Sequence, residues 1–308
     1  MQNKNAEIKQ YEKQKDKNGN IIPPDKIKKE GRKVKTLSPM SYVSPYIMKT
    51  RTGASNQATD SVCMSEINRY IREKKNKGMT DYSILHFIIA SYVRCVSQKP
   101  GINRYIRGQK IYARNNIEIN FVIKKEMTLE SPDTVIKTFF YPDETADEVY
   151  YKCKKVIDDY RLSPGGDFDN AANFFHYIPG LVMKFTMWII NILDYFGLLP
   201  RFLTKLSPFH GTMFVTSMGS LGIPPIYHHL YDFGNVPTFI SFGKKYRRKV
   251  EDVDGSIKEK TFIDVKYVLD ERICDGFYYA SAMKYMKNIY KNPWILDHKP
   301  DVVYRDID

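Results

Sequence analysis

The strand-to-helix junction within residues 265–289 constrains the fold more than any other part of the sequence. The run VKYVLD, which ends at Asp270, has the β-branched and aromatic composition of a strand, and the run from Phe277 has the apolar spacing of a helix. Only residues 271–276, Glu-Arg-Ile-Cys-Asp-Gly, separate the two patterns. A strand that passes almost directly into a helix is typical of an α/β fold in which helices pack against a sheet.

The remainder of the chain shows the same mixture of patterns. Helical patterns occupy residues 81–98 and 146–160, and strand patterns occupy residues 110–126, 134–141, 212–218, 238–243 and 261–269. A charged hairpin turn centred on Asp254 and Gly255 is predicted before the last of these strands. Because no Pro/Gly-rich linker or internal repeat divides the chain, we expect one α/β domain over residues 37–295.

The two ends of the chain are predicted to be tails. The formal net charge is +13, and residues 1–36 are rich in Lys, Asn and Gln. Such a stretch cannot bury enough apolar surface to offset its ordering entropy, so it is predicted to be a basic flexible tail. Residues 296–308 are predicted to be a C-terminal tail. No nucleic-acid-binding motif accompanies the positive charge, so nucleic acid is not an expected partner.

An apolar helical insertion is predicted at about residues 168–208. Residues 181–199 are long enough in principle to span a bilayer, but Lys184, Asn191 and Asp194 lie within them. We therefore predict a buried or amphipathic helix. A helix on a membrane surface is the main alternative, and a true span is not expected.

The cysteines and the N-terminus bear on the compartment. The four cysteines are far apart, and the N-terminus lacks the apolar core of a secretory signal, so a reducing, cytoplasmic location is predicted. No zinc-ligand spacing, phosphate-binding loop or G-x-S-x-G motif occurs. We therefore expect no metal site and no bound cofactor.

The junction resembles the signature of chloramphenicol acetyltransferases and of the dihydrolipoyl acyltransferase catalytic domains of 2-oxo-acid dehydrogenase complexes. Their pattern at this junction is H-x-x-x-D-G, or D-H-R-x-x-D-G in the dehydrogenase branch. Asp270, Arg272, Asp275 and Gly276 match the pattern, and Glu271 stands at the position of the catalytic His.

The resemblance covers roughly residues 37–295. Residues 83–123 are similar to the family's long helix and following strands, and GTMFVTSMGSLGI is similar to its T-x-S-N-x-G segment. Thr216 lies at the family's oxyanion-binding Ser/Thr, Ser217 lies at its Asn, and Gly219 completes this oxyanion segment. The resemblance implies a chloramphenicol acetyltransferase-like two-layer α/β sandwich with a mixed sheet, to which the apolar helical insertion is added.

The resemblance also implies a chemistry. In this family a His removes a proton from an acceptor hydroxyl or thiol, which attacks the acyl-CoA thioester, and an Arg salt bridge holds the Asp of the motif. A glutamate has a pKa roughly two units below that of His, so Glu271 is a competent base only if burial raises its pKa. The alternative is that Glu271 has no catalytic role and pairs with Arg272 or another cation.

A second candidate base lies in the segment HHLYDFG, which begins at His228 and His229. The segment superficially resembles the family motif, but its Asp falls one place early and it precedes a strand. Because it follows the oxyanion segment, one of its imidazoles is a candidate for the role that Glu271 vacates. The alternative is a pair of structural, hydrogen-bonded histidines.

The function implied by the resemblance is acyl transfer from acyl-CoA, as co-substrate, to an unknown small or lipid-like acceptor. The family's trimers carry their active-site channels between neighbouring subunits, so a homotrimer is expected. The alternative is a catalytically silent member of the fold that acts as a binding or assembly protein. Peripheral membrane contact through the basic tail and the apolar helix is a third possibility.

Overall fold

Strands and helices are mixed along the described part of the chain, as the sequence predicts. The computed structural model describes residues 10–124, 133–162, 178–251 and 255–308. The described strands are β1 (Gly31–Lys33), β2 (Ser55–Cys63), β3 (Arg104–Arg107), β4 (Lys110–Arg114), β5 (Ile117–Lys124), β6 (Asp133–Phe140), β7 (Met213–Ser217), β8 (Thr238–Phe242), β9 (Tyr246–Glu251) and β10 (Ile257–Asp270). The described α-helices are α1 (Pro39–Ile47), α2 (Ser65–Asn76), α3 (Ile84–Gln98), α4 (Ala146–Leu162), α5 (Gly180–Tyr195), α6 (Arg201–Leu206) and α7 (Gly276–Lys291).

The strands form two sheets. The main sheet has the order β2-β10-β8-β7-β5-β6, and β9 pairs with the first half of β10. It is mixed, because β7 runs parallel to both β5 and β8 whereas the other pairs are antiparallel. A small antiparallel sheet has the order β1-β4-β3. The predicted strand pair at 110–126 is therefore divided, with β4 in the small sheet and β5 in the main one.

The hydrophobic core lies between the main sheet and its helices. Helix α3 packs between α4 and α7, and each of its residues from His86 to Ser97 is buried. Alternate strand residues such as Val265 and Tyr267 join this core, whereas Val268 belongs to a smaller apolar cluster on the opposite face of the sheet. We call that opposite face the outer face. It is crossed by residues 224–235, which we call the histidine loop.

The prediction of a flexible tail is wrong for residues 10–36. Strand β1 pairs with β4, and Ile27 and Val34 are fully or almost fully buried. Glu30 is also buried, where it pairs with Arg107 and Arg114. Apolar side chains that are few and widely spaced leave no periodicity in the sequence, and the ionic partners lie far along the chain, so local reasoning misses this segment.

The predicted C-terminal tail is likewise part of the folded body. The carboxylate of Asp306 is buried and forms a two-point ion pair with Arg104, with both nitrogen-to-oxygen distances at 2.7 Å. The amide of Tyr304 donates to the carbonyl of Ser97 at the end of α3. The two terminal segments also contact each other, since the amide of Tyr11 donates to the carbonyl of Val303 at 2.8 Å.

The apolar insertion forms α5 and α6 in its described part, but α5 is not buried. Leu181 is 85% exposed, and Phe185 and Trp188 are 60% and 58% exposed. Within the described ranges, no helix is both long and apolar enough to cross a membrane. Residues 168–177 of the predicted insertion and Asp254 of the predicted hairpin turn lie outside the described residues, although β9 and β10 pair as that hairpin requires.

Candidate active site

Glu271 lies in the turn between β10 and α7, as the junction predicts. Its amide donates to the carbonyl of Ala54 at 2.8 Å, which fixes the backbone of the turn. Its side chain is exposed and makes no hydrogen bond or ion pair with the described part of the chain. The predicted pairing of Glu271 with Arg272 is therefore not formed, because Arg272 is committed elsewhere.

The carboxylate held by arginine in this turn is Asp270, not Asp275. Asp270 is completely buried and forms a two-point ion pair with Arg272, and Arg51 approaches it to 3.6 Å. Asp275 is exposed and caps α7 by accepting from the amide of Tyr278 at 2.7 Å. The arginine salt bridge that the resemblance assigns to the motif Asp therefore does not form at Asp275, because that carboxylate serves the free amides of the helix end.

The oxyanion segment lies at the end of β7. Thr216 is half-buried on the outer face of the sheet, next to Ser241 of β8 in register, and Ser217 ends the strand. Gly219 follows where the chain passes Gly243, and a Cβ at Gly219 would lie 2.7 Å from the carbonyl oxygen of Gly243. The glycine is therefore required for this close approach of two backbone segments.

Thr216 and Glu271 are far apart within one chain. Thr216 pairs with Ser241, Ser241 pairs with Lys266, and Lys266 precedes Glu271 by five residues along β10. At about 3.3 Å per residue and about 4.8 Å between strands, the two Cα atoms are roughly 19 Å apart. A single thioester cannot contact both side chains of the same chain.

The histidine loop crosses the outer face between these two sites. The ring of His228 stacks on that of Phe239 at 4.4 Å and on that of His229 at 4.5 Å. Phe239 lies opposite Phe214 in register, two residues before Thr216, so its Cα lies roughly 8 Å from that of Thr216. His228 is thus nearer to the oxyanion segment than Glu271 is.

The hydrogen bond of His228 fixes its tautomer. Its Nδ1 lies 2.7 Å from the carbonyl oxygen of His229, and because a carbonyl only accepts, Nδ1 carries the proton. Nε2 has no hydrogen-bond partner among the described residues. Burial lowers the pKa of His228 below its usual value of 6.5, and the contact with the His229 carbonyl offsets only part of that effect. A neutral imidazole with Nε2 as its acceptor is the form that a general base needs.

Arg51 and Thr52, which sequence reasoning missed, hold the histidine loop in place. Arg51 donates to the carbonyls of Tyr231 and Gly234, and Thr52 donates through Oγ1 to the carbonyl of Leu230 at 2.7 Å. Gly234 has a φ of +80°, and a Cβ there would lie 2.0 Å from the carbonyl oxygen of Phe209. The last Gly of HHLYDFG is therefore required by its left-handed backbone conformation and by the close approach of Phe209, which accounts for the superficial likeness of the segment to the family motif.

A polar strip on the outer face was also missed. Tyr227, the residue before the paired histidines, hydrogen bonds to Thr59 of β2, and the ammonium of Lys266 lies 4.3 Å from the centre of its ring. These residues come from three separate segments and carry no local motif. No group of three or more His, Cys, Asp or Glu side chains within the described ranges is arranged to hold a metal ion.

Known proteins that resemble this chain were found by comparison of structures and not by comparison of sequences. No family model matches the sequence, and no curated protein matches it. A probable dihydrolipoamide acetyltransferase from Listeria monocytogenes matches with a TM-score of 0.52 at 15% identity, over 83% of this chain and 94% of that one.

Two further solved structures agree with it. The dihydrolipoamide acetyltransferase of Azotobacter vinelandii matches with a TM-score of 0.54 at 10% identity, over 85% of this chain and 93% of that one. The cubic core of a pyruvate dehydrogenase multienzyme complex matches with a TM-score of 0.50 at 10% identity, over 90% and 98% of the two chains. These matches confirm the predicted fold class, and the chain has the chloramphenicol acetyltransferase-like fold of the dihydrolipoamide acetyltransferase catalytic cores.

Proposed function

We propose that the chain transfers an acyl group from an acyl-CoA thioester to a hydroxyl, amine or thiol acceptor, with His228 as the general base. The observation that carries this proposal is the contact between His228 Nδ1 and the His229 carbonyl, which leaves Nε2 as the proton acceptor. The imidazole and Thr216 share the outer face of the sheet, and the fold is that of acyltransferase cores.

In this mechanism Nε2 of His228 takes the proton of the acceptor, and the acceptor atom attacks the thioester carbonyl. The Thr216 hydroxyl donates to the oxyanion that forms, which lowers the barrier because a preorganised donor stabilises charge only as it develops. The tetrahedral intermediate then collapses, the carbon–sulfur bond breaks, and the CoA thiolate takes the proton back from the imidazolium. His229 positions the ring through its carbonyl, and no bound cofactor or metal takes part.

The proposed assembly is the homotrimer that the resemblance implies. Glu271 of one chain is exposed and distant from its own Thr216, so it reaches an oxyanion segment only across a contact between subunits. In that arrangement Glu271 is available to bind the acceptor or to assist His228. The proposed location remains the cytoplasm, where acyl-CoA is available.

A catalytically silent role as a binding or assembly protein is the second candidate. It is favoured by one observation, namely that the position of the family's His holds an exposed glutamate without a partner among the described residues.

The experiment is thiol release from a panel of acyl-CoAs with mixed small hydroxyl and amine acceptors. Wild type is compared with His228→Gln, Glu271→Gln and Thr216→Val. We expect turnover that His228→Gln and Thr216→Val abolish and that Glu271→Gln largely retains. Turnover lost only in Glu271→Gln would make the carboxylate the base instead. A folded protein that binds acyl-CoA without turnover with any acceptor would support the binding-protein role.

A further inference from the structure

Helix α5 presents an unbroken apolar arc to solvent. At about 100° per residue, its exposed apolar side chains occupy about 120° of the helix circumference. These side chains are Leu181, Val182, Phe185, Trp188, Ile189 and Ile192. A surface helix normally turns its apolar stripe toward the core and its polar residues outward. The outward face of α5 is apolar, contrary to that rule, which indicates that it is an interaction surface.

The apolar surface continues beyond the helix. Phe196, Leu198 and Phe202 follow α5 directly and are each at least 65% exposed. With the outward face of α5 they form a run of exposed apolar side chains, and contiguous exposed apolar surface on a monomer marks an interaction site.

The helix is held firmly in this orientation. Its Asp194 is buried and lies 3.7 Å from Arg107, and the hydroxyl of Tyr195 donates to the side-chain oxygen of Gln109 at 3.1 Å. Gly108 lies against the carbonyl of Tyr195, so closely that a Cβ there would be 2.6 Å from that oxygen. The outward face is thus a fixed feature of the fold, and α5 cannot turn its apolar arc inward without breaking these contacts.

The charges near the patch are mainly positive. Asp194 is the only carboxylate in residues 178–208, and it is buried. Lys184 is exposed beside the apolar arc. Lys205, three residues after Phe202, donates to the carbonyl of Asp25, and the carboxylate of Asp25 lies 3.8 Å from the ammonium of the exposed Lys26. An apolar face with a cationic rim complements an anionic surface that has an apolar interior.

We infer that this face docks on an anionic phospholipid bilayer, with α5 lying in the plane of the interface. The 16 residues of α5 span about 24 Å, which is less than the roughly 30 Å hydrocarbon core, so the helix lies on the membrane and does not cross it. Aromatic and aliphatic residues flanked by lysines are the composition of interfacial helices. Pairing of this face with a second copy would bring two cationic rims together, whereas anionic headgroups attract them.

The test is co-sedimentation of the full chain with vesicles of phosphatidylcholine, with and without phosphatidylserine. We expect binding to the anionic vesicles that weakens with added salt, and weaker binding to the neutral ones. Phe185→Ser combined with Trp188→Ser should weaken binding by at least on the order of tenfold. Tyr151→Ser is the matched control, because Tyr151 is as exposed as Trp188, at 58%, but lies on α4. Lys184→Glu should weaken binding only to anionic vesicles.

Trp188 also reports the docking directly. Brominated lipids should quench its fluorescence in the bound protein, and Trp188→Phe should keep the affinity and lose that quenching, because the other tryptophan, Trp294, is partly buried against Glu73. Absence of wild-type binding, or equal binding by the double serine variant, would overturn the inference. A second outcome would also overturn it. If wild type forms an oligomer and does not bind vesicles, and the double serine variant is dissociated, the patch is a contact between copies of the chain.

Discussion

The Nε atom of Arg51 lies 3.6 Å from Oδ2 of Asp270, and both side chains are buried. The same guanidinium donates to the carbonyls of Tyr231 and Gly234 in the histidine loop. One arginine therefore joins the loop that carries His228 to the turn that carries Glu271. The two candidate bases are positioned by a single buried charge.

Replacement of Arg51 by Met should destabilise the protein strongly. It leaves part of the Asp270 charge uncompensated and removes the donors of the loop carbonyls, and breaking a buried pair from one side costs about 3 kcal/mol or more. Asp275→Ala, which removes only a helix cap, should cost about 1 kcal/mol. Urea unfolding of the two variants measures the difference, and similar small losses in both would contradict the structural role of Arg51.

Thr216→Val should lower kcat for acyl transfer by about a hundredfold to a thousandfold, because it removes the proposed oxyanion donor. The KM for acyl-CoA should change little, since the lost hydrogen bond forms in the transition state. Ser220→Ala is the control, because Ser220 is exposed and its hydroxyl serves only the Ser217 carbonyl. A parallel rise in KM without a fall in kcat would assign Thr216 to substrate binding instead.

The fold could be predicted from the sequence because its signals are local. Strand periodicity, the junction after Asp270 and the close-packed Gly219 each occupy a few consecutive residues. The link from Arg51 to the histidine loop could not be predicted, since its partners lie about 180 positions away and no motif marks either end. The arginine salt bridge forms at Asp270 and not at Asp275 for a related reason, because two aspartates flank the same turn and only the packing decides which one is buried.

Hydrophobicity alone did not decide whether α5 is a buried or amphipathic helix or a helix on a membrane surface. An apolar run predicts burial when the rest of the chain can cover it, but sequence periodicity does not reveal how much of that surface the fold leaves open. Here Asp194 anchors the helix end in a buried ion pair, and Trp188 remains outside. The prediction was wrong for residues 10–36, where buried Glu30 holds a segment that looks too polar to fold.

The pH profile of kcat/KM should identify His228 as the base. Burial favours its neutral form, so its pKa lies below 6.5 and activity should persist as the pH falls to that value and decline only at lower pH. The titratable groups that contact the ring are His229 and Tyr231. The His228→Gln variant is the control, if it keeps measurable activity. If its kcat/KM declines at low pH as that of wild type does, His228 is not the titrating base.

Glu30→Ala should destabilise the fold by about 3 kcal/mol or more, because it leaves the buried Arg114 and the partly buried Arg107 short of a partner. Burial acts to raise the pKa of Glu30, but these two arginines outweigh it and lower the pKa below 4.5. The stabilisation is therefore present above pH 4.5 and is lost as the pH falls below it. Asp25→Ala, at a half-exposed site five residues earlier, is the control. Equal thermal unfolding of the two variants would restore the idea of a mobile tail.

His86 should make the protein sensitive to mild acid. Its Nδ1 accepts from the amide of Ser83 at the start of α3, and its ring lies against Tyr82 and Tyr150. Burial lowers its pKa from 6.5 to about 4, and this effect exceeds the opposing influence of Asp81. The folded state therefore holds the neutral ring, whereas the unfolded chain takes up a proton below pH 6.5.

Titration of His86 should therefore not reduce the free energy of unfolding above pH 6.5. As the pH falls from 6.5 toward 4, it should reduce that free energy by up to about 3 kcal/mol. His86→Gln tests this, because Gln at the third position of a helix that begins after Ser completes a capping box without a titrating group. Urea unfolding of both proteins across this pH range should show a difference between them that narrows, or changes sign in favour of the variant, as the solution becomes acidic. A constant difference would mean that His86 has the same pKa in the folded and unfolded states, and that other groups cause the acid lability.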